Sequence, residues 1–144
     1  MYLQWIVRAH HHKSIMSHLE HHNLLCHLQH GFRRFKWCES LLIEFVSDIV
    51  DNSHAKLTDI NILDFSKAFD KVPPNRCLYK LENYGIRGYT LKWMKAFLEN
   101  RQQCVVVDGE TSDFVALLSG VPQGSVIGPV PFLAYINDLQ QNIR

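Results

Sequence analysis

The chain has 144 residues, enough for one modest domain, and its 47% hydrophobic content can support a core. Its 20% charged fraction, with 15 basic against 14 acidic side chains, argues against a disordered acidic tail or a strongly cationic arm. No run of eighteen apolar residues occurs, so no membrane partner is expected and a soluble intracellular chain is the default. Cys26, Cys38, Cys77 and Cys104 have no paired spacing, which favours reduced thiols over bridges.

Residues 1–14 carry no assignable pattern beyond histidines. From Ser14 to Leu28, Ile15, Met16, Leu19 and Leu24-Leu25 give a weak apolar stripe that predicts a helix. Gly31 breaks it, and Phe32-Arg33-Arg34-Phe35-Lys36-Trp37 reads as a loop. A clearer helix covers Glu39 to Val50, where Leu41, Leu42, Phe45, Val46, Ile49 and Val50 paint one face. Asp59 to Phe65 shifts to a short branched apolar run, Ile60, Ile62, Leu63 and Phe65, which predicts a strand covered on both faces.

Lys71-Val72-Pro73-Pro74 interrupts the chain, since proline cannot continue a helix and pushes its predecessor towards extended geometry. Arg76 to Asn83 reads as a short helix ended by a left-handed Gly85, and Thr90 as the cap of a further helix with Leu91, Met94, Phe97 and Leu98 on one stripe. Gln103 to Val107 and Phe114 to Leu118 flank Asp108-Gly109, a step that favours positive backbone angles and hence an antiparallel hairpin. The loop Ser119 to Ser125 then leads into a helix over Val126 to Leu139. Helices around a small, largely antiparallel sheet define an α+β fold.

Asp64 is the most informative single residue because it interrupts an apolar run. A buried unpaired carboxylate costs several kcal/mol, so Asp64 must meet a cation, a donor cluster or solvent. It either caps the following turn or belongs to a site. His18, His21 and His22 would share a helical face and form a rival metal site, or simply a solvated one.

The stretch Leu63-Asp64-Phe65-Ser66-Lys67-Ala68-Phe69-Asp70-Lys71-Val72 resembles the first catalytic motif of the reverse transcriptases of non-LTR, LINE-like retrotransposons. Ser119-Gly120-Val121-Pro122-Gln123-Gly124-Ser125-Val126-Ile127-Gly128-Pro129 resembles the second motif of the same family. Gln29-His30-Gly31-Phe32-Arg33 resembles its fingers motif, and Phe132 to Leu139 the helix that follows the second motif. The resemblance runs from about Ile15 to residue 144 in the family's order.

The resemblance implies the fingers and first half of the palm of a right-hand polymerase over residues 15–144. It further implies an RNA template, a DNA primer and deoxynucleotides as partners, and two magnesium ions as cofactor. Carried over residue by residue, Asp64 is a catalytic carboxylate and metal ligand, and the Phe65 carbonyl is a second ligand. Phe69 lies beneath the sugar, Gln123 and Gly124 contact the nucleotide, and Arg33 contacts nucleic acid. Phe69 also suits core packing, and Pro-Gln-Gly also suits a plain loop. Phe35-Lys36-Trp37 replaces the small Gly-Arg-Ser-like continuation usual in the fingers motif, and Pro131 replaces an aliphatic residue and threatens a kink in the last helix.

No two acidic residues are adjacent in the sequence, so the Tyr-x-Asp-Asp motif that supplies the other metal carboxylates is missing from these 144 residues. Tyr135-Ile136-Asn137-Asp138 imitates it but continues a helical pattern and offers Asn137 where an anion is needed. With too few anionic ligands for a two-metal mechanism, the chain alone is expected to be inactive. A non-catalytic nucleic-acid-binding module and a decayed relic are the competing expectations.

Overall fold

A computed structural model describes residues 2–53 and 59–139; residues 54–58 and 140–144 of the expected domain lie outside them. In chain order the elements are α1 (Tyr2–His21), α2 (Cys38–Ser53), α3 (Pro74–Asn83), α4 (Gly88–Leu98), β1 (Arg101–Gln103), β2 (Val106–Val107), β3 (Glu110–Thr111), β4 (Val115–Leu117) and α5 (Pro129–Ile136). This is the α+β content expected. Met1–Leu25 with Lys67–Arg144 form one compact unit, and Cys26–Ser66 form a second.

In the first unit the helices pack on one another rather than on a sheet: α3 lies against both α4 and α5, and α1 against α5. Their contact is the core, in which Ile15, Leu19, Val72, Cys77, Leu81, Met94, Leu98, Ile127, Val130 and Leu133 are buried. Each fully buried aliphatic side chain contributes about 1.5–3 kcal/mol. The Cys77 thiol donates to the Pro131 carbonyl at 3.3 Å, and burial pushes its pKa up to about 12, so it stays a thiol.

Helix α1 starts earlier and stops earlier than its apolar stripe indicates. Asn23 takes a left-handed φ of 52°. The Asn23 and Leu24 N–H groups then close back on the Glu20 and Leu19 carbonyls at 3.1 and 2.9 Å, a glycine-type stop made with asparagine. Helix α3 ends the same way with the expected residue. Gly85 has φ 85°, and the Gly85 and Ile86 N–H groups bond to the Glu82 and Leu81 carbonyls at 2.9 and 3.0 Å, while Ile86 and Leu81 are both buried. Thr90 is not a cap: α4 begins at Gly88 after an extended Arg87, and no side chain caps it.

Asp108 and Gly109 turn the hairpin with φ of 50° and 86°, the double left-handed pair of a type I′ turn. The hairpin is not one continuous ladder. β2 pairs with β3 and β1 with β4, with Cys104 and Val105 between the two ladders on the outgoing strand and Ser112, Asp113 and Phe114 on the return. The surplus residue is a bulge, spliced by the Val105 N–H donating to Ser112 Oγ at 2.9 Å.

Helix α5 begins at Pro129, three residues later than Val126, and Pro131 sits in its first turn. A missing N–H there breaks no helical bond, so no kink follows. At its far end Lys80 donates to the Tyr135 carbonyl and the Asp138 carboxylate. Asn137 donates to the Leu24 carbonyl at 2.7 Å. Tyr135-Ile136-Asn137-Asp138 thus ties α5 to α3 and to the end of α1.

The hydrogen bond from Lys80 holds the Asp138 carboxyl below its ordinary 3.8. A depressed carboxylate adds stability that is present above 3.8 and is lost as pH falls below it. With Asp138 half-exposed, the pair contributes about 1 kcal/mol at most. Urea midpoints of wild type and Lys80→Met are therefore expected to differ near neutrality and to converge below the ordinary carboxylate range; a gap that persists in acid would assign the effect to packing.

In the second unit, α2 forms as its pattern requires, yet Leu41, Leu42, Phe45, Val46 and Val50 are exposed. Asp59 to Phe65 forms no strand and pairs with no described one. The expectation of a covered strand is therefore corrected: Ile62 is 86% exposed and Leu63 76%. A branched apolar run favours a strand, but a strand forms only beside a partner, and no described residue supplies one. No helix among the described residues is long and apolar enough to cross a membrane.

Candidate functional site

Two loops distant in sequence are clasped together in the first unit. A turn at Lys67, which has φ 54°, is closed by the Asp70 N–H on the Lys67 carbonyl at 3.1 Å. It presents the backbone of Phe69 to Val72 to the loop after β4. The Gly120 N–H donates to the Val72 carbonyl at 2.8 Å and the Val121 N–H to the Phe69 carbonyl at 2.9 Å. Ser119 Oγ donates to the Asp70 carbonyl at 2.8 Å. The Gln123 amide reaches the Asp70 carboxylate at 2.9 Å. Gly120 makes the approach possible: with φ 86°, a side chain there would stand 2.8 Å from Asp70 Cα.

Arg101, at the start of β1, locks the far side of the loop. It donates to the Leu98 carbonyl at 3.0 Å, the Ser119 carbonyl at 2.8 Å and the Gly120 carbonyl. Desolvation by burial lowers its pKa from the ordinary guanidinium value, and three carbonyl acceptors offset that cost. Lys67, Asp70, Arg101, Gln102, Gln103 and Gln123 surround an open cleft of about 860 Å³ whose floor is Gly120 and Val121. Cationic and amide groups with a single carboxylate suit an anionic, hydrogen-bonding ligand.

Gln123 lines this cleft. Gly124 follows it with φ 71°, and a side chain there would meet nothing within 4 Å, so its glycine serves the backbone angle and Gly120's serves the close approach. Phe69 packs inward, its ring stacked on Phe132 at 4.1 Å. Asp64, Phe65 and Arg33 belong to the second unit. Asp64 is exposed, so the carboxylate meets solvent and the burial penalty expected for it does not arise. Arg33 is half-buried and donates to the Cys26 carbonyl at 2.7 Å.

Asp64 and the Phe65 carbonyl are hard oxygen donors suited to magnesium, but they are too few to hold it, and among the described residues no three His, Cys, Asp or Glu side chains form a metal-binding group. The histidine face is likewise short of a site: His18 Nε2 is committed to the Tyr84 carbonyl at 2.8 Å, and His22 lies 4.7 Å from it ring to ring.

Asp70, Lys67, Gly120 and Arg101 are the residues that sequence reasoning passed over. Asp70 and Gly120 lie inside the two motif stretches, and a second carboxylate and a first glycine there were a usable signal. Arg101 had none, because its partners lie 18 and 19 residues away in a loop without periodicity.

The family model described as reverse transcriptase (RNA-dependent DNA polymerase) matches residues 5–144. The chain belongs to the reverse transcriptase family. It is 38% identical over 78 residues to the RNA-directed DNA polymerase from mobile element jockey of Drosophila melanogaster, covering 54% of this chain and 8% of that protein. The corresponding protein of Drosophila funebris is 35% identical over 77 residues, again 54% of this chain and 8% of the relative. The chain therefore matches only a small part of either relative's length. No solved structure matches it.

Proposed function

We propose that the chain supplies the fingers and first half of the palm, residues 15–144, of an RNA-directed DNA polymerase of non-LTR retrotransposon type. The observation that carries this reading is the clasp of Phe69–Val72 against Ser119–Val121, which joins the two family motifs and sets Gln123 at the rim of a polar cleft. Gln123 and Gly124 contact the incoming deoxynucleotide and Phe69 supports its sugar from within the core. Asp64 and the Phe65 carbonyl contribute oxygens to a magnesium site, and Arg33 acts on the nucleic-acid side. RNA template, DNA primer and deoxynucleotide are the partners. Further carboxylates are needed for two magnesium ions, so the 144 residues by themselves bind and position substrate without turning it over.

Amide spectra of the chain titrated with a deoxynucleoside triphosphate test the nucleotide contact. Shifts confined to Lys67–Asp70 and Gly120–Gly124, and lost in Gln123→Ala, are expected. Saturating nucleotide that moves none of these amides would contradict the reading.

A further inference from the structure

We propose that Arg34, Phe35 and Trp37 form a rigid stacking platform for single-stranded nucleic acid, a role that rests on the polymerase reading above and extends it to residues outside the family's motif. The loop that carries them is fixed from inside. Arg33 donates to the Cys26 carbonyl at 2.7 Å, and Lys36 to the His27 carbonyl at 3.0 Å. The Trp37 N–H donates to Ser40 Oγ at 3.1 Å, and Ser40 Oγ returns a bond to the Trp37 carbonyl at 2.9 Å. Beneath lies His30, buried, with its ring nitrogens 3.0 Å from Ser40 Oγ and 3.0 Å from a Glu44 carboxylate oxygen. Hydrogen bonding to His30 and the neighbouring Lys36 hold the Glu44 carboxyl below its ordinary range.

Two of the loop's three cations thus face inward, on backbone carbonyls and on Glu44. Arg34 instead is exposed and lies over the Phe35 ring at 4.6 Å from its centroid. Phe35 is 70% exposed and Trp37 61%. Phe35 also holds a φ of 60°, a conformation that costs a bulky residue free energy and that glycine would adopt without strain. A strained aromatic ring that buries little of itself does nothing for the fold, and such positions persist where a ligand uses them. Exposed rings beside a guanidinium offer π faces to unpaired bases and a cation to the phosphates between them, whereas a duplex presents no free base face. Because the backbone is already fixed, binding orders little of the protein.

Anisotropy of a labelled short single-stranded RNA, titrated with the 144-residue chain at low and rising salt, tests the platform. Phe35→Gly relieves the strained angle, so its urea midpoint is expected to equal or exceed that of wild type while affinity falls about tenfold, the loss of one base stack. Trp37→Ala loses a similar factor. Arg34→Ala is expected to weaken binding and flatten its salt dependence by about one phosphate contact. Phe114→Ala, which removes an exposed ring from the other unit, leaves affinity unchanged. No binding at low salt, equal competition by duplex RNA, or unaltered affinity in Phe35→Gly and Arg34→Ala would each overturn the proposal. Loss of the platform alongside intact nucleotide-induced shifts at Lys67–Asp70 and Gly120–Gly124 would leave the polymerase reading standing, and the converse result would leave the platform standing without it.

Discussion

Replacing Gly120 by alanine is expected to destabilise the first unit by about 3 kcal/mol or more, combining backbone strain with overpacking. The added methyl would stand 2.8 Å from Asp70 Cα and 2.9 Å from the Asp70 carbonyl oxygen, at a φ of 86°. Both obstacles are backbone atoms of a turn held by its own hydrogen bonds, so neither can swing aside as a flexible side chain would. Relief requires the loop to lift, which breaks the Gly120 and Val121 donor bonds and frees Gln123 from Asp70. Gly109 provides the control. It has the same φ of 86°, but a methyl group there meets nothing within 4 Å, so Gly109→Ala should cost only the left-handed penalty of about 1–2 kcal/mol. Urea unfolding of the two variants separates the terms. Equal losses would mean that the clasp between the two loops contributes nothing beyond the backbone angle.

Local chemistry was legible where a residue type answers to one backbone state. Asp108-Gly109 named its turn and Gly85 its helix stop, whereas α3 begins at Pro74, two residues before the expected Arg76, because proline is tolerated in a helix's first turn. Asn23 escaped notice because asparagine only tolerates the left-handed state that glycine advertises. The apolar run Ile60–Phe65 was read as a covered strand, but residue types say nothing about whether a neighbouring strand is at hand, and the segment proved exposed and unpaired with any described strand. Helix α2 repeats the lesson: its periodicity placed the helix and could not say what, if anything, covers it.

The site divides in the same way. The family resemblance pointed to Gln123 and Gly124, and Gln123 lines the cleft. The partners that hold the loop, Asp70 and Arg101, each join it by two hydrogen bonds across 18 to 53 residues, and such pairings leave no periodic trace in a lone sequence. Phe69 was legible both as a sugar support and as a core residue; its stack on Phe132 realises the second role.

The assignment of Asp64 bears most of the functional weight. Asparagine at position 64 keeps the side chain's shape, removes the charge, and alters an exposed group, so stability should change by less than about 0.5 kcal/mol. In a chimera in which residues 5–144 of this chain replace the corresponding residues of the Drosophila melanogaster relative, RNA-templated primer extension should fall by about a thousandfold in the variant, the several kcal/mol a metal-held carboxylate contributes to phosphoryl transfer. Extension by the chimera and its Asp64→Asn variant, measured side by side with equal folded protein, decides the matter most directly: activity that collapses with the charge is the expected result, and an active chimera indifferent to Asp64→Asn would contradict it.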